Sequence, residues 1–417
     1  MAADSASRIS GSAASAGSRP SAAAYTKETR FPGISALVPC VGTALLIYIH
    51  SFAHTTVSRL LSWRPVVGVG QISYSLYLCH WPLLAFGTYL SITQRIGPRL
   101  WVPLYLAATA LLAVGSWRFV EQPWRRAYRR ARPAVICGAF LASIAAVVGI
   151  AGVVRALDGV PRRLPEVVRN VRQSPFNQEL SPAACDRNEL PVWRSRQPEK
   201  IRALMWGDSH AMAMMAGVVA ACEHRPVTLY QATHSDTPPL VGFSSARVHR
   251  GQAPPALADA VVRFCGDHRV DVVFMAASWA KYATAETFEA SLERTLRDLS
   301  ARDVHAVIVA DYPVGREVAP RTVLAGALFG EDIGELGIDP ARHREKNAGV
   351  ARIFARHMSM TVSVRDPQAV FMNRHGLCGA VAGGNALYVD GSHLCEAGGL
   401  LMTDFFGAVI DERLAAE

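Results

Sequence analysis

The chain has 417 residues, 50% of them apolar, with 43 Lys and Arg against 34 Asp and Glu for a formal charge of +9. That is too long for one ordinary core and about right for two units. The charge is lopsided: residues 1–154 carry 14 Lys/Arg and 3 Asp/Glu, whereas residues 155–417 carry 29 and 31, so +11 belongs to the first part and −2 to the second. A nucleic-acid binder puts its basic surface on a folded soluble domain. Here the basic residues stand between apolar stretches, as in the cytoplasmic loops of membrane proteins, which argues against nucleic acid as a partner.

Residues 1–30 are rich in Ala and Ser, carry Arg8, Arg19, Lys27 and Arg30, lack an apolar signal-peptide core, and read as a disordered tail. Four stretches then follow, at about 33–53, 70–92, 98–119 and 134–154, each near the roughly 20 residues that span a bilayer. The last, AVICGAFLASIAAVVGIAGVV, has no charged residue. Arg125, Arg126, Arg129, Arg130 and Arg132 make the loop before it cytoplasmic, so everything after about residue 155 lies outside. The loop with Arg59 and Arg64 agrees. Counting back puts the N-terminus outside, which leads us to expect that earlier spans are missing or that Met1 is not the natural start.

Residues 156–200, rich in Pro, Arg and polar side chains, read as a linker and domain edge. From 201 to 417 short apolar runs alternate with amphipathic segments. IRALMW (201–206), VTLYQAT (227–233), DVVFMAA (271–277), VHAVIVADYP (304–313) and TVSVRD (361–366) are the strands. Helices are expected after 206 and at about 255–268, 285–300, 340–358 and 396–415. This is the pattern of a mainly parallel sheet covered on both faces, a three-layer α/β domain. Its chemistry belongs beyond the C-terminal strand ends.

Gly207-Asp208-Ser209-His210 stands at the end of the first of these strands and opens a helix. Ser209 at a helix N-terminus is placed to use free N–H groups as oxyanion donors, but a helix-capping serine looks the same. Tyr388-Val389-Asp390-Gly391-Ser392-His393-Leu394 sets an Asp three residues before a His. There the carboxylate can orient the ring while its other nitrogen faces a nucleophile. Alone either motif is weak; together in one α/β domain they point to acyl-ester chemistry.

These blocks resemble the SGNH hydrolase family, which implies Ser209 as nucleophile and Asp390 and His393 as its partners. The family's additional Gly and Asn oxyanion donors have no clear counterpart. Thr237-Pro238-Pro239-Leu240 lies near the Gly block, and Ala276-Ala277-Ser278-Trp279 occupies the Asn block without an Asn. Thr237, Ser278 and Trp279 are therefore the candidates for the oxyanion hole or pocket. Ile72-Ser73-Tyr74-Ser75-Leu76-Tyr77-Leu78-Cys79-His80-Trp81-Pro82 and Phe119-Val120-Glu121-Gln122-Pro123-Trp124-Arg125-Arg126 resemble the last segments of the acyltransferase-3 membrane family. The resemblance makes residues 31–130 the C-terminal part of such a membrane domain and 131–155 its linking span. His80, polar within a span, is a possible membrane-part site.

The resemblance implies O-acyl transfer, usually of acetyl, to an extracytoplasmic polysaccharide by a multi-pass bacterial inner-membrane protein with a periplasmic domain. The acyl group would come from acetyl-CoA or be relayed through the membrane, with no bound cofactor or metal. Another acyltransferase subunit would supply the missing helices. A carbohydrate esterase using the same triad and an inactive scaffold are the alternatives. Cys185, Cys222, Cys265, Cys378 and Cys395 lie in the exported part, where disulfides are permitted, and an odd five leaves at least one unpaired.

Overall fold

A computed structural model of the chain describes residues 33–50, 56–90, 92–129, 131–159, 161–243 and 256–416. The expected tail at 1–30 lies outside the described residues. The chain divides into two compact units: residues 1–84 with 103–131, and residues 85–102 with 132–417.

The first unit is helical. It holds α1 (Leu37–His50) and most of both α2 (Arg64–Tyr89) and α3 (Pro98–Ser116), with α3 running on through a π turn at Trp117–Glu121 into Gln122–Tyr128. α2 begins at Arg64 instead of near 70, because Pro65 fits a first helical turn, where its missing N–H has no partner to lose. Among the described residues two helices are long and apolar enough to cross a membrane, Pro98–Tyr128 with 31 residues and Pro133–Ala156 with 24. α1 is shorter, at 14 residues, and α2 is longer but more polar. The family-like motifs meet inside this unit. The buried Ser75 hydroxyl donates to Glu121 Oε2 at 2.8 Å, and Glu121 also pairs with Arg125. A carboxylate among apolar helices needs such partners.

The second unit contains α4 (Pro133–Ala156) and the α/β domain. Its strands are β1 (Val192–Arg194), β2 (Ile201–Gly207), β3 (Val227–Thr233), β4 (Val272–Ala276), β5 (His305–Val309) and β6 (Val362–Arg365). They form one sheet in the order β1-β3-β2-β4-β5-β6, parallel throughout except for the antiparallel β1 at its edge. Alternation along β2 sends Ala203 and Met205 to one face and Leu204 and Trp206 to the other, and each face is buried in its own apolar core. α5 (Ser209–Cys222) and α11 (Thr403–Ala416) supply the first core. α6 (Ala256–Asp267), α8 (Phe288–Ser300) and α10 (Pro340–Arg356) supply the second. The short α7 (Trp279–Tyr282) follows β4, and α9 (Pro320–Leu328), not anticipated from sequence, follows β5.

The segment 156–200 is more than a linker. Val167 and Val168 are buried in the first core and Leu180, Cys185 and Leu190 in the second, and β1 completes the sheet. Its apolar residues come singly or in pairs between Pro, Arg and polar residues, so no periodicity announces them. The five domain cysteines are buried and unpaired, and burial pushes the Cys222 thiol up to about 12.

Candidate active site

Gly207 ends β2 against the neighbouring strand. A Cβ there would lie 1.7 Å from the Ala276 carbonyl oxygen, so the backbones can meet only at a glycine. Asp208 follows as the N-cap of α5, and α5 begins at Ser209. Asp208 is 1% exposed. Its Oδ1 accepts from the His210 N–H at 2.8 Å, and its Oδ2 from the Ser278 N–H at 3.1 Å and the Tyr282 hydroxyl at 2.8 Å. The cap therefore also ties the nucleophile turn to the loop after β4. That loop is fixed from its other side by Asp311, which accepts from the Trp279 and Ala280 N–H groups. Burial nonetheless pushes the Asp311 carboxyl up to about 7.

Ser209 and His393, 184 residues apart in sequence, meet here. Ser209 Oγ lies 2.9 Å from His393 Nε2, and His393 Nδ1 donates to Asp390 Oδ2 at 2.9 Å. Asp390 Oδ1 accepts from the Ser392 N–H (2.6 Å), the His393 N–H (2.8 Å) and the Ser392 hydroxyl (2.9 Å). Burial works against the Asp390 charge, but these bonds outweigh it and hold the carboxyl at about 2. Three rings fix the turn. The Tyr312 hydroxyl donates to the Ser392 carbonyl and the Tyr388 hydroxyl to the Pro313 carbonyl. His210 stacks on Tyr312 at 4.8 Å and meets His393 edge-on at 5.5 Å. His210 is 3% exposed, and burial lowers its pKa to about 4.

Ser209 and His393 open onto a cleft of about 310 Å³ whose other walls include Gln173, Asn177, Ser235 and Asp236, with Met212, Ala213 and Leu394 as its apolar part. Among the described residues the Ser209 and Ser235 backbone N–H groups have no acceptor, so both remain available to a developing oxyanion.

The other sequence candidates lie elsewhere. Trp279 is wholly buried, with its indole N–H on the Val309 carbonyl, and is a core aromatic instead of a pocket wall. Ser278 contributes its N–H to Asp208 and does not line the cleft. The Thr237 hydroxyl turns back to the Ser235 carbonyl and the His234 ring, so that loop faces the cleft with Ser235 and Asp236. His80 in α2 donates from Nδ1 to the Tyr77 carbonyl at 2.7 Å, a bond within its own helix. Sequence reasoning missed Asp208, although it stood in the motif as a capping residue type. It also missed Gln173 and Asn177, for which no local signal existed.

The chain matches residues 174–408 to the family model described as the SGNH domain fused to AT3 domains. It is 36% identical over 85 residues to the peptidoglycan O-acetyltransferase OatA of Listeria monocytogenes, a stretch covering 19% of this chain and 13% of that protein. It is 32% identical over 84 residues to the O-acetyltransferase OatA of Staphylococcus aureus strain NCTC 8325, covering 20% and 14%. The match thus spans about one seventh of the length of these relatives. The periplasmic domain of a lipopolysaccharide acetyltransferase from Salmonella ser. Paratyphi A superposes with a TM-score of 0.43 at 14% identity, over 57% of this chain and 92% of that one. With the family model covering more than half of its length, the chain belongs to the family of SGNH domains fused to AT3 domains.

Proposed function

We propose that the chain transfers an acyl group, acetyl as in the O-acetyltransferases it resembles, to a hydroxyl of an extracytoplasmic polysaccharide through an ester on Ser209. The observation that carries this is the hydrogen-bonded line from Ser209 through His393 to Asp390 at the mouth of a polar cleft. His393 Nε2 takes the Ser209 proton as Oγ bonds to the acyl carbon, and the oxyanion is held by the Ser209 and Ser235 N–H groups. Collapse breaks the bond to the donor's leaving group, which receives that proton. A sugar hydroxyl then gives its proton to His393 and attacks the acyl-serine. The new sugar ester leaves and Ser209 recovers the proton. Asp390, ionised throughout, fixes the ring tautomer. The acyl group arrives as substrate, from acetyl-CoA or by relay through the membrane, and a second acyltransferase subunit is the partner expected to serve the membrane side.

α1 to α4 are the four membrane passages of this reading, and the basic run at 125–132 keeps their connecting loop cytoplasmic, with the α/β domain outside. In support, Arg95, in the short helix Ile92–Ile96 that connects α2 to α3, pairs with Glu331 and lies 4.5 Å over the Phe329 ring, as expected if that connection is also outside. The test uses the full chain in nanodiscs with a labelled acetyl donor and glycan acceptors. Acetyl-Ser209 followed by acceptor-dependent ester formation supports transfer. The same triad also serves hydrolysis, and turnover that ignores the acceptor would assign the chain as an esterase instead.

A further inference from the structure

We infer that residues 172–178 form a fixed strap whose Gln173 and Asn177 carboxamides bind hydroxyls of the acceptor sugar beside Ser209, an inference that rests on the acyl-transfer reading of the site. Both residues line the cleft with Ser209 and His393, although they precede the nucleophile by more than thirty positions and belong to the stretch between α4 and the sheet.

The strap backbone is held at several points. The Glu396 N–H donates to the Arg172 carbonyl at 3.1 Å. The fully buried Gln231 side chain donates to the Phe176 carbonyl at 2.8 Å, and the buried Thr233 hydroxyl donates to the Gln178 carbonyl at 3.1 Å. The Leu180 N–H returns to the Thr233 carbonyl at 3.0 Å. Ser174 is buried, and the Phe176 ring stands edge-on to Trp193 at 5.3 Å. Three of these stitches come from the C-terminal end of β3, the strand whose following loop supplies Ser235 and Asp236. The strap and that loop are therefore registered to each other.

The side chains are the opposite of the backbone. Gln173 and Asn177 are exposed, and among the described residues neither carboxamide has a hydrogen-bond partner. A carboxamide offers an NH₂ donor and a carbonyl acceptor side by side, which suits a hydroxyl that must both give and receive. Among the described residues the only carboxylate on the cleft wall, Asp236, is engaged by Lys281. The free surface is thus neutral and polar above the apolar Met212, Ala213 and Leu394, a lining that fits the two faces of a neutral sugar ring better than an anionic headgroup or a long acyl chain. Groups held by a rigid backbone bind with less ordering of the protein.

The experiment measures glycan binding by the full chain in nanodiscs carrying Ser209→Ala, which blocks turnover, with chitotetraose and a rhamnose-containing O-antigen polysaccharide as probes. At least one probe is expected to bind. Asn177→Ala and Gln173→Ala are each expected to raise its Kd about tenfold, the scale of one hydrogen bond. Asn177→Asp, which keeps the shape and loses the donor, is expected to match Asn177→Ala and guards against a folding artefact. Binding of neither probe, or Kd values moved less than about threefold by all three substitutions, overturns the inference. The acyl-transfer reading fails separately, through absence of acetyl-Ser209 by mass spectrometry in the chain with its serine intact.

Discussion

His210→Phe isolates the effect of one buried imidazole next to the nucleophile. In the folded chain its pKa is held at about 4 by burial, against 6.5 for an ordinary histidine. Above pH 6.5 both the folded and the unfolded chain carry it neutral, and stability is at its full value. As pH falls from 6.5 towards 4, the unfolded chain takes up a proton that the folded chain refuses, so stability is lost. Below about 4 both states are protonated and the loss is complete. A gap of about 2.5 pH units at about 1.4 kcal/mol per unit amounts to about 3 kcal/mol. Phe keeps the stack on Tyr312 and the contact with His393 but cannot titrate. Urea unfolding of the full chain in detergent, followed by tryptophan fluorescence, should give wild type and variant within about 1 kcal/mol at pH 7.5. At pH 4 the variant should have gained about 3 kcal/mol relative to wild type. Parallel stability-versus-pH curves for the two proteins would refute the reasoning.

Substitutions at three further residues probe the same site. Ser209→Ala should lower hydrolysis of a model acetyl ester by at least about a thousandfold and abolish labelling by a fluorophosphonate, read by gel fluorescence. Asp390→Asn removes the charge that fixes the His393 tautomer. It should reduce kcat by roughly 10²–10⁴ with little change in KM, measured by steady-state kinetics. Asp208→Ala leaves the His210 N–H, the Ser278 N–H and the Tyr282 hydroxyl without their acceptor. At about 1–3 kcal/mol for each buried orphan, the domain should melt well below wild type by differential scanning fluorimetry, with Asp208→Asn in between.

Much of the domain could be read from residues. The five parallel strands lie close to where apolar runs placed them, because a strand buried on both faces must be continuously apolar. The nucleophile turn was legible because a glycine and a serine between an apolar strand and a helix leave few backbone options, although the capping role of Asp208 was not read. β1 and the packed stretch before it were not legible. Three residues such as Val192–Arg194, with only Trp193 half-buried at the sheet edge, carry no pattern, and isolated apolar residues such as Leu180 and Leu190 become core only when the sheet is present to receive them.

The sequence alone determined which groups could do chemistry: a serine after Gly-Asp, and an Asp-x-x-His turn near the far end of the same α/β unit. Only the tertiary structure decided which of the surrounding polar residues face them. Trp279 was a plausible pocket wall by position, yet its register after β4 turns it into the core. Gln173 and Asn177 looked like linker, yet they line the cleft, and buried side chains of β3 hold the Phe176 and Gln178 carbonyls on either side of Asn177. The physical reason is that the nature of a side chain is local, whereas the side of a wall it lines is set by strand register and by long-range hydrogen bonds that no sequence window contains.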